Sequence, residues 1–282
     1  MKTKITNKII ENFRVYLLNA ECSENTVAKY TRDVRRFAHF TNGERVEKSD
    51  VLHYKAQLCK TYAPRSVNSV LSALNSFFGY INRNDLKVRT LKIQQMIFAD
   101  SERDLTQSDF FRLIDAAKKS GDDRLYCLMQ TLASTGIRIS ELRYITCNAV
   151  KEKQTDIDCK GKMRRIFLPK KLCKLLAEYI KRHGICHGEV FVSRSGNTLN
   201  RTNIWRMLKR LCGAAGVNPN KVFPHNFRHL FARTYYKMQK DIVRLADILG
   251  HSSINTTRIY TTENGEGHIA QLQKLSCIFI RA

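Results

Sequence analysis

The sequence predicts a mainly α-helical protein of two domains, an N-terminal four-helix module and a C-terminal mixed α/β domain carrying one small β-hairpin. Three observations carry this prediction. Apolar residues recur at the spacing of amphipathic helices through most of the chain. Strand-like runs appear clearly at one place only, on either side of Lys160-Gly161-Lys162. Helical periodicity fades between about Arg83 and Arg103, which divides the chain into residues 1–92, a linker over 93–104 and residues 105–282.

Taken in order, Ile5, Ile9, Phe13, Tyr16 and Leu17 mark a first helix, and Val27, Tyr30, Val34 and Phe37 a second after Ser23. A third follows Ser49, a candidate N-cap, with Val51, Leu52 and Leu58. The fourth starts at Pro64 and shows Val67, Leu71, Leu74, Phe78 and Ile81. Their outward faces are expected to hold Lys29, Arg32, Arg35, Arg36, Arg65 and Arg83. Helix resumes with a capping box from Thr106 to Asp109, ahead of Phe110, Leu113, Ile114 and Ala117. Leu125, Leu128, Met129 and Leu132 form the next helix, which stops near Gly136. The hairpin strands are expected at 155–159 and 164–168. Leu172, Leu175, Leu176, Tyr179 and Ile180 define a helix that ends before Gly184, and Asn200 caps another through Ile204, Trp205, Leu208 and Leu211. Short helices broken at Gly250 and at 265–267 complete the chain.

Composition narrows the function. Of 282 residues, 49 are Lys or Arg and 25 are Asp or Glu, a formal net charge of +24. Residues 1–98 carry 17 basic and 8 acidic side chains and residues 99–282 carry 32 and 17, so both domains are suited to one polyanion. With 43% hydrophobic residues and only 4 Pro, the chain is expected to bury real cores. No apolar run is long enough to span a bilayer and no basic-then-apolar leader opens the chain, which predicts a soluble, cytoplasmic protein. The nine cysteines, scattered without a CxxC pair, then read as reduced thiols, most of them in the core. There is no GxxxxGK[ST] loop, no HExxH and no tight acidic cluster, so neither a cofactor nor a metal is expected.

A polyanion enzyme built this way must balance phosphate charge with its own cations, a task suited to the charged, two-pronged fork of arginine. Arg138 lies in TGIRISEL, between the glycine that ends one helix and the start of the next element. Arg228 lies in HNFRH, three residues after His225 and on the same helical face. His251 follows Gly250 in LGHSS, and Tyr260 closes INTTRIY nine residues later.

In their order and approximate separations, TGIRISEL, CKGKMRRIFLP, PHNFRH and LGHSSINTTRIY resemble the tyrosine recombinases, or phage integrases, especially compact Xer-like members. The resemblance is weak over the helical first domain and strong from Arg103 onward. It implies a SAM-like core-binding first domain and a catalytic domain of the tyrosine recombinase type. Arg138 and Arg228 would clamp the scissile phosphate, and Tyr260 would attack phosphorus to give a 3′-phosphotyrosyl link. Lys160 would protonate the departing 5′-oxygen, with Lys162 as an alternative. His225 would accept the tyrosine proton, His251 would hydrogen-bond the phosphate, and Glu141 would brace the site. Phe227, where relatives often carry leucine, is expected to be a packing change.

The implied partners are double-stranded DNA with paired core sites and three further copies of the chain, a homotetramer on synapsed DNA formed from free monomers, with no membrane. His268, Ile269, Leu272 and Leu275 would form a final helix donated to a neighbouring subunit. No arm-binding domain is expected before the four-helix module. Three alternatives stay open: a type IB topoisomerase, which relaxes supercoils without strand exchange; a non-catalytic DNA-binding relative; and a basic structural protein.

Overall fold

The apolar stripes of the sequence close around two large cores, with a smaller third cluster of Ala232, Leu245, Leu249 and Tyr260. A computed structural model describes residues 4–42, 45–93, 103–159, 162–193, 195–251 and 253–260, in two compact units, Met1–Gln95 and Met96–Ala282. Lys160, Gly161 and the C-terminal stripe from His268 to Leu275 lie outside the described residues. Among the described residues, no helix is long and apolar enough to cross a membrane.

The first unit contains α1 (Asn7–Asn19), α2 (Glu24–Phe40), α3 (Lys48–Thr61) and α4 (Pro64–Tyr80). Phe13, Phe37, Phe77 and Phe78 are fully buried at its centre. Phe13 meets Phe77 edge to face at 5.2 Å and Phe37 meets Phe78 at 5.8 Å, so the rings both fill volume and fix helix rotation. Each such ring contributes about 1.5–3 kcal/mol by leaving water. Tyr16 and Leu52, expected on the inner stripes, are instead exposed.

Two corrections concern polar residues. Helix α3 begins one residue before Ser49 and is capped by Glu47, whose backbone N–H donates to Asp50 Oδ2 at 2.7 Å. The acid at the third helical position selects the cap residue three places before it. Of the six cations expected to face outward, Lys29 is half-buried, donating to the buried Asp33 at 2.6 Å and to the Ser69 carbonyl at 3.0 Å. Arg83 is likewise tied to Asp85 at 2.7 Å.

The stretch after α4 is more ordered than its fading periodicity predicts. A short 3₁₀ helix, Asn84–Leu86, is followed by extended backbone, and Leu86 and Val88 join the first core. Asn75 on α4 donates to the Val88 carbonyl at 2.8 Å and accepts from its N–H at 2.9 Å. One helical face further back, Asn68 does the same to Leu91 at 2.9 and 2.7 Å. The two amides act as a substitute strand, satisfying backbone that has no sheet to join.

The second unit contains α5 (Gln107–Lys119), α6 (Asp123–Thr135), α7 (Cys147–Glu152), α8 (Lys170–Arg182), α9 (Arg201–Ala215), α10 (Pro224–Gln239), α11 (Ile242–Leu249) and α12 (Ile254–Thr257). Its hairpin pairs β1 (Gln154–Cys159) with β2 (Lys162–Phe167). The Thr106–Asp109 capping box and the Asn200 cap form as expected. The core joins Leu113, Leu128, Leu132, Leu176, Leu208 and Phe227, and Phe227 meets Phe110 edge to face at 6.2 Å, the packing role expected for it. Trp205 does not join this core. It lies one residue round the helix from the inward Ile204, exposed beneath Lys209.

In the antiparallel register Cys159 pairs with Lys162, so β2 starts two residues earlier than expected and only two residues connect the strands. Alternation along β2 then sets Arg164 and Ile166 toward the core, and Arg165 outward, where it meets Asp156 in a two-pronged pair at 2.8 and 2.9 Å.

Asn75→Ala is expected to destabilise the first unit by about 1–3 kcal/mol, because the Val88 N–H and carbonyl both lose their partner. Urea unfolding of the full chain tests this; an unchanged transition for the first unit would show that the amide bridge is not needed.

Candidate active site

The site is assembled at three helix ends and one strand. Helix α6 stops at Gly136, whose φ of +64° only glycine adopts without strain, and where a Cβ would stand 2.4 Å from the Phe231 ring. That stop turns the chain so that Arg138 leads into a 3₁₀ helix, Ile139–Tyr144. Helix α11 stops at Gly250, also left-handed at φ +65°, and the turn presents His251. Helix α10 supplies His225, Arg228 and His229, and a last 3₁₀ turn, Arg258–Tyr260, delivers the phenol.

Arg228 is the centre of this arrangement. It is only 1% exposed, donating from Nη1 to the Gly136 carbonyl at 2.7 Å and from Nη2 to the Leu249 carbonyl at 2.6 Å. Both acceptors are at helix C-termini, where unpaired carbonyls and the helix dipole favour a cation. The same Nη2 meets His251 Nε2 at 3.0 Å. An arginine only donates, so Nε2 is the acceptor, the imidazole carries its proton on Nδ1, and Nδ1 donates to the buried Thr257 hydroxyl at 2.8 Å. Burial lowers the Arg228 pKa to about 10, which leaves it charged at neutral pH.

Glu141, 2% exposed, braces Arg138 as expected, accepting from its backbone N–H at 2.7 Å and its Nη1 at 2.9 Å. About a third of the Arg138 side chain (35%) remains open to solvent. Glu141 also accepts from Arg164 Nη2 at 2.5 Å, a partner the sequence did not point to.

Tyr260 is 4% exposed and packs against Ala232, Leu245 and Leu249. Burial raises its pKa above 10, opposed by the positive charge of Arg228 and, beyond it, Arg138 and Arg233. The imidazoles packed on it are His251, stacked at 6.1 Å, and His229, edge-on at 5.0 Å. His225 is exposed and reaches this cluster through His229, 4.6 Å away. Desolvation within the packed site, felt by His225 even though its outer edge is exposed, holds all three imidazoles below their ordinary 6.5; Arg228 and Arg138 add to it at His225 and His251, and His225 followed by Arg233 at His229, which leaves His229 and His251 at about 4.

Of the six expected residues, Arg138, His225, Arg228, His251 and Tyr260 therefore come together from four chain segments, and Lys160 lies outside the described residues. Arg164, His229 and Thr257 were not singled out from sequence. For His229 a signal was present, since it falls four residues after His225 on one helix face.

A helical protein whose second unit gathers guanidinium groups, neutral imidazoles and a phenol around one point is equipped for nucleophilic chemistry on an anion. Two family models match the chain: the phage integrase family over residues 103–266, and the phage integrase N-terminal SAM-like domain over residues 9–88. The chain is 31% identical over 268 residues to the tyrosine recombinase XerA of Pyrococcus furiosus, covering 91% of this chain and 90% of that protein. It is 30% identical to the tyrosine recombinase XerC of Roseiflexus castenholzii, covering 92% and 90%. A crystal structure of XerA recombinase matches with a TM-score of 0.52 at 27% identity, over 99% of this chain and all of that one. A lambda integrase tetramer bound to a Holliday junction shares the fold, with a TM-score of 0.74 at 16% identity over 92% and 78%. The chain belongs to the phage integrase family and is a tyrosine recombinase of the Xer-like type.

Two predictions follow from this geometry. Gly136→Ala is expected to destabilise the second unit by about 2–4 kcal/mol, combining left-handed strain with overlap on Phe231; a wild-type melting temperature would show that the turn relaxes freely. For pH, His229 and His251 bind protons less readily when folded than unfolded. Their contribution to stability is therefore complete above 6.5 and falls as pH drops toward 4. Urea midpoints across that window are expected to decline, less so in His251→Gln; a flat profile in the wild type would contradict the neutral-imidazole assignment.

Proposed function

We propose that this recombinase cuts and rejoins double-stranded DNA at specific sites through a 3′-phosphotyrosyl link to Tyr260. The observation that carries the reading is the gathering of His251 and Tyr260, from separate turns of the chain, around the buried guanidinium of Arg228. Arg228 also keeps a buried Nε–H that has no hydrogen-bond partner among the described residues. An unpaired buried donor costs about 1–3 kcal/mol, and a phosphate oxygen supplies the missing acceptor.

In this reading Arg138 and Arg228 bind the non-bridging oxygens of the scissile phosphate and neutralise the charge that grows in the transition state. Tyr260 Oη bonds to phosphorus as the bond to the 5′-oxygen breaks. His225, exposed and held neutral, accepts the phenol proton directly or through His229, which touches both rings. Lys160 protonates the departing 5′-oxygen. A phosphoester replaces a phosphoester, so attack by another 5′-hydroxyl reseals the strand with no external energy source.

The basic surfaces of both units, with Arg32, Arg35, Arg36 and Arg65 exposed on the first, suit contact with the DNA backbone. Solved relatives of the same fold are bound to DNA as a dimer and as a tetramer. We extend this to a chain that is a monomer when free and a tetramer on two paired sites. A topoisomerase is the weaker reading, since the relatives at 30% identity or more are recombinases.

The test starts from a pool of nicked duplexes of randomised sequence, from which strands covalently linked to protein are recovered after denaturation. With a recovered duplex, Tyr260→Phe is expected to form no linked strand while still binding. Arg138→Lys is expected to cleave about 100-fold more slowly or worse, because a point charge does not replace the two-pronged contact. Linked strands from Tyr260→Phe at the wild-type level would overturn the assignment of the nucleophile.

A further inference from the structure

Arg164 stands in the same relation to the site as Arg228. Its place in the register puts it on the core face of the hairpin, directly opposite the fully buried Ile157, and its side chain is 12% exposed. A cation there is unfavourable unless it is well paired. It donates from Nη2 to Glu141 at 2.5 Å and from Nη1 to the Ile248 carbonyl at 2.6 Å. Ile248 and Leu249 are the last two residues of α11, so Arg164 and Arg228 take consecutive orphan carbonyls of one helix end.

The opposite ends of the two bridges also meet. Arg228 holds the Gly136 carbonyl and Arg164 holds Glu141, which are the two flanks of the turn that carries Arg138. Gly250 makes room for the second bridge: a Cβ at that position would stand 2.6 Å from Arg164 Cδ. The left-handed glycine before His251 is thus shaped by the arginine as well as by the turn.

We propose that Arg164 is a positioning residue for strand cleavage, which locks the turn of Arg138 to the turn of His251 and shares the Glu141 carboxylate so that Arg138 stays available to the phosphate. Glu141 lies between two guanidinium groups. With Arg164 present, one carboxylate is balanced by two cations and the pair keeps a net positive charge. Without it, Glu141 answers to Arg138 alone and draws that side chain away from an incoming anion. The Ile248 carbonyl loses its donor at the same time, loosening the segment that aims His251. Arg164 itself contacts no substrate in this scheme, and the hairpin that also carries Lys160 becomes a structural part of the phosphate clamp.

The inference rests on the recombinase reading, and the experiment separates the two. On a duplex recovered with the wild type from the randomised nicked pool, binding and single-turnover formation of the linked strand are measured for Arg164→Lys, Arg164→Met and each combined with Glu141→Gln. Arg164→Met is expected to bind the duplex nearly as the wild type does and to cleave about 100-fold more slowly, the loss typical of a misplaced clamp. Arg164→Lys, which keeps the charge and reaches one partner at a time, is expected to fold and to fall between the two. In the Glu141→Gln background the Arg164→Met loss is expected to shrink, because the two residues act through one contact. Wild-type cleavage by Arg164→Lys and Arg164→Met overturns the inference and leaves the recombinase reading standing, as does a loss that multiplies unchanged in the Glu141→Gln background. Failure of the wild type itself to link any strand overturns both.

Discussion

The structure of the second unit depends on cations holding the carbonyl ends of helices. Helices α6 and α11 stop at left-handed glycines, each leaving carbonyls that point at the same small volume. Arg228 ties Gly136 to Leu249 and Arg164 ties Glu141 to Ile248, so two segments more than a hundred residues apart are stapled twice. Removing either guanidinium would leave paired acceptors unsatisfied in a site that water barely reaches. The same buried charge that fixes the architecture is, in the proposed function, the charge that meets the phosphate.

This shared use explains the state of the imidazoles. A cation bonded to His251 Nε2 leaves that ring neutral and sets its tautomer, and the ring then lies parallel to Tyr260. Neutral histidines around a buried phenol keep the positive charge on arginine, which does not titrate near neutral pH. The phenol is protonated where it lies, because burial outweighs the pull of Arg228 on its hydroxyl. In the proposed mechanism, attack by this phenol on phosphorus therefore needs a proton acceptor.

Much of this was legible in the chain itself. The helical stripes of both units, the capping box at Thr106, the hairpin and the ordered motifs around Arg138, Arg228, His251 and Tyr260 are local patterns, and local patterns survive folding. What was missed was non-local. The amides of Asn68 and Asn75 pin Leu91 and Val88, converting a stretch with no periodicity into part of the first core. Trp205 sits beside Ile204 in sequence, yet one step of helix rotation carries it into solvent.

The adjacent pair Arg164-Arg165 shows where the division falls. Sequence by itself determined that two arginines follow the glycine turn, that the segment is a strand, and that neighbouring side chains must point to opposite faces. It also singled out Arg138 and Arg228, since a glycine stop and the ordered motifs around them are marked by residue type. Only the tertiary structure decided which arginine faces inward, because a two-residue turn sets a register that the strand pattern alone does not specify. It alone brought Glu141 and the end of α11 to that arginine, since the distance between those partners is closed by packing and leaves no periodic trace in the chain.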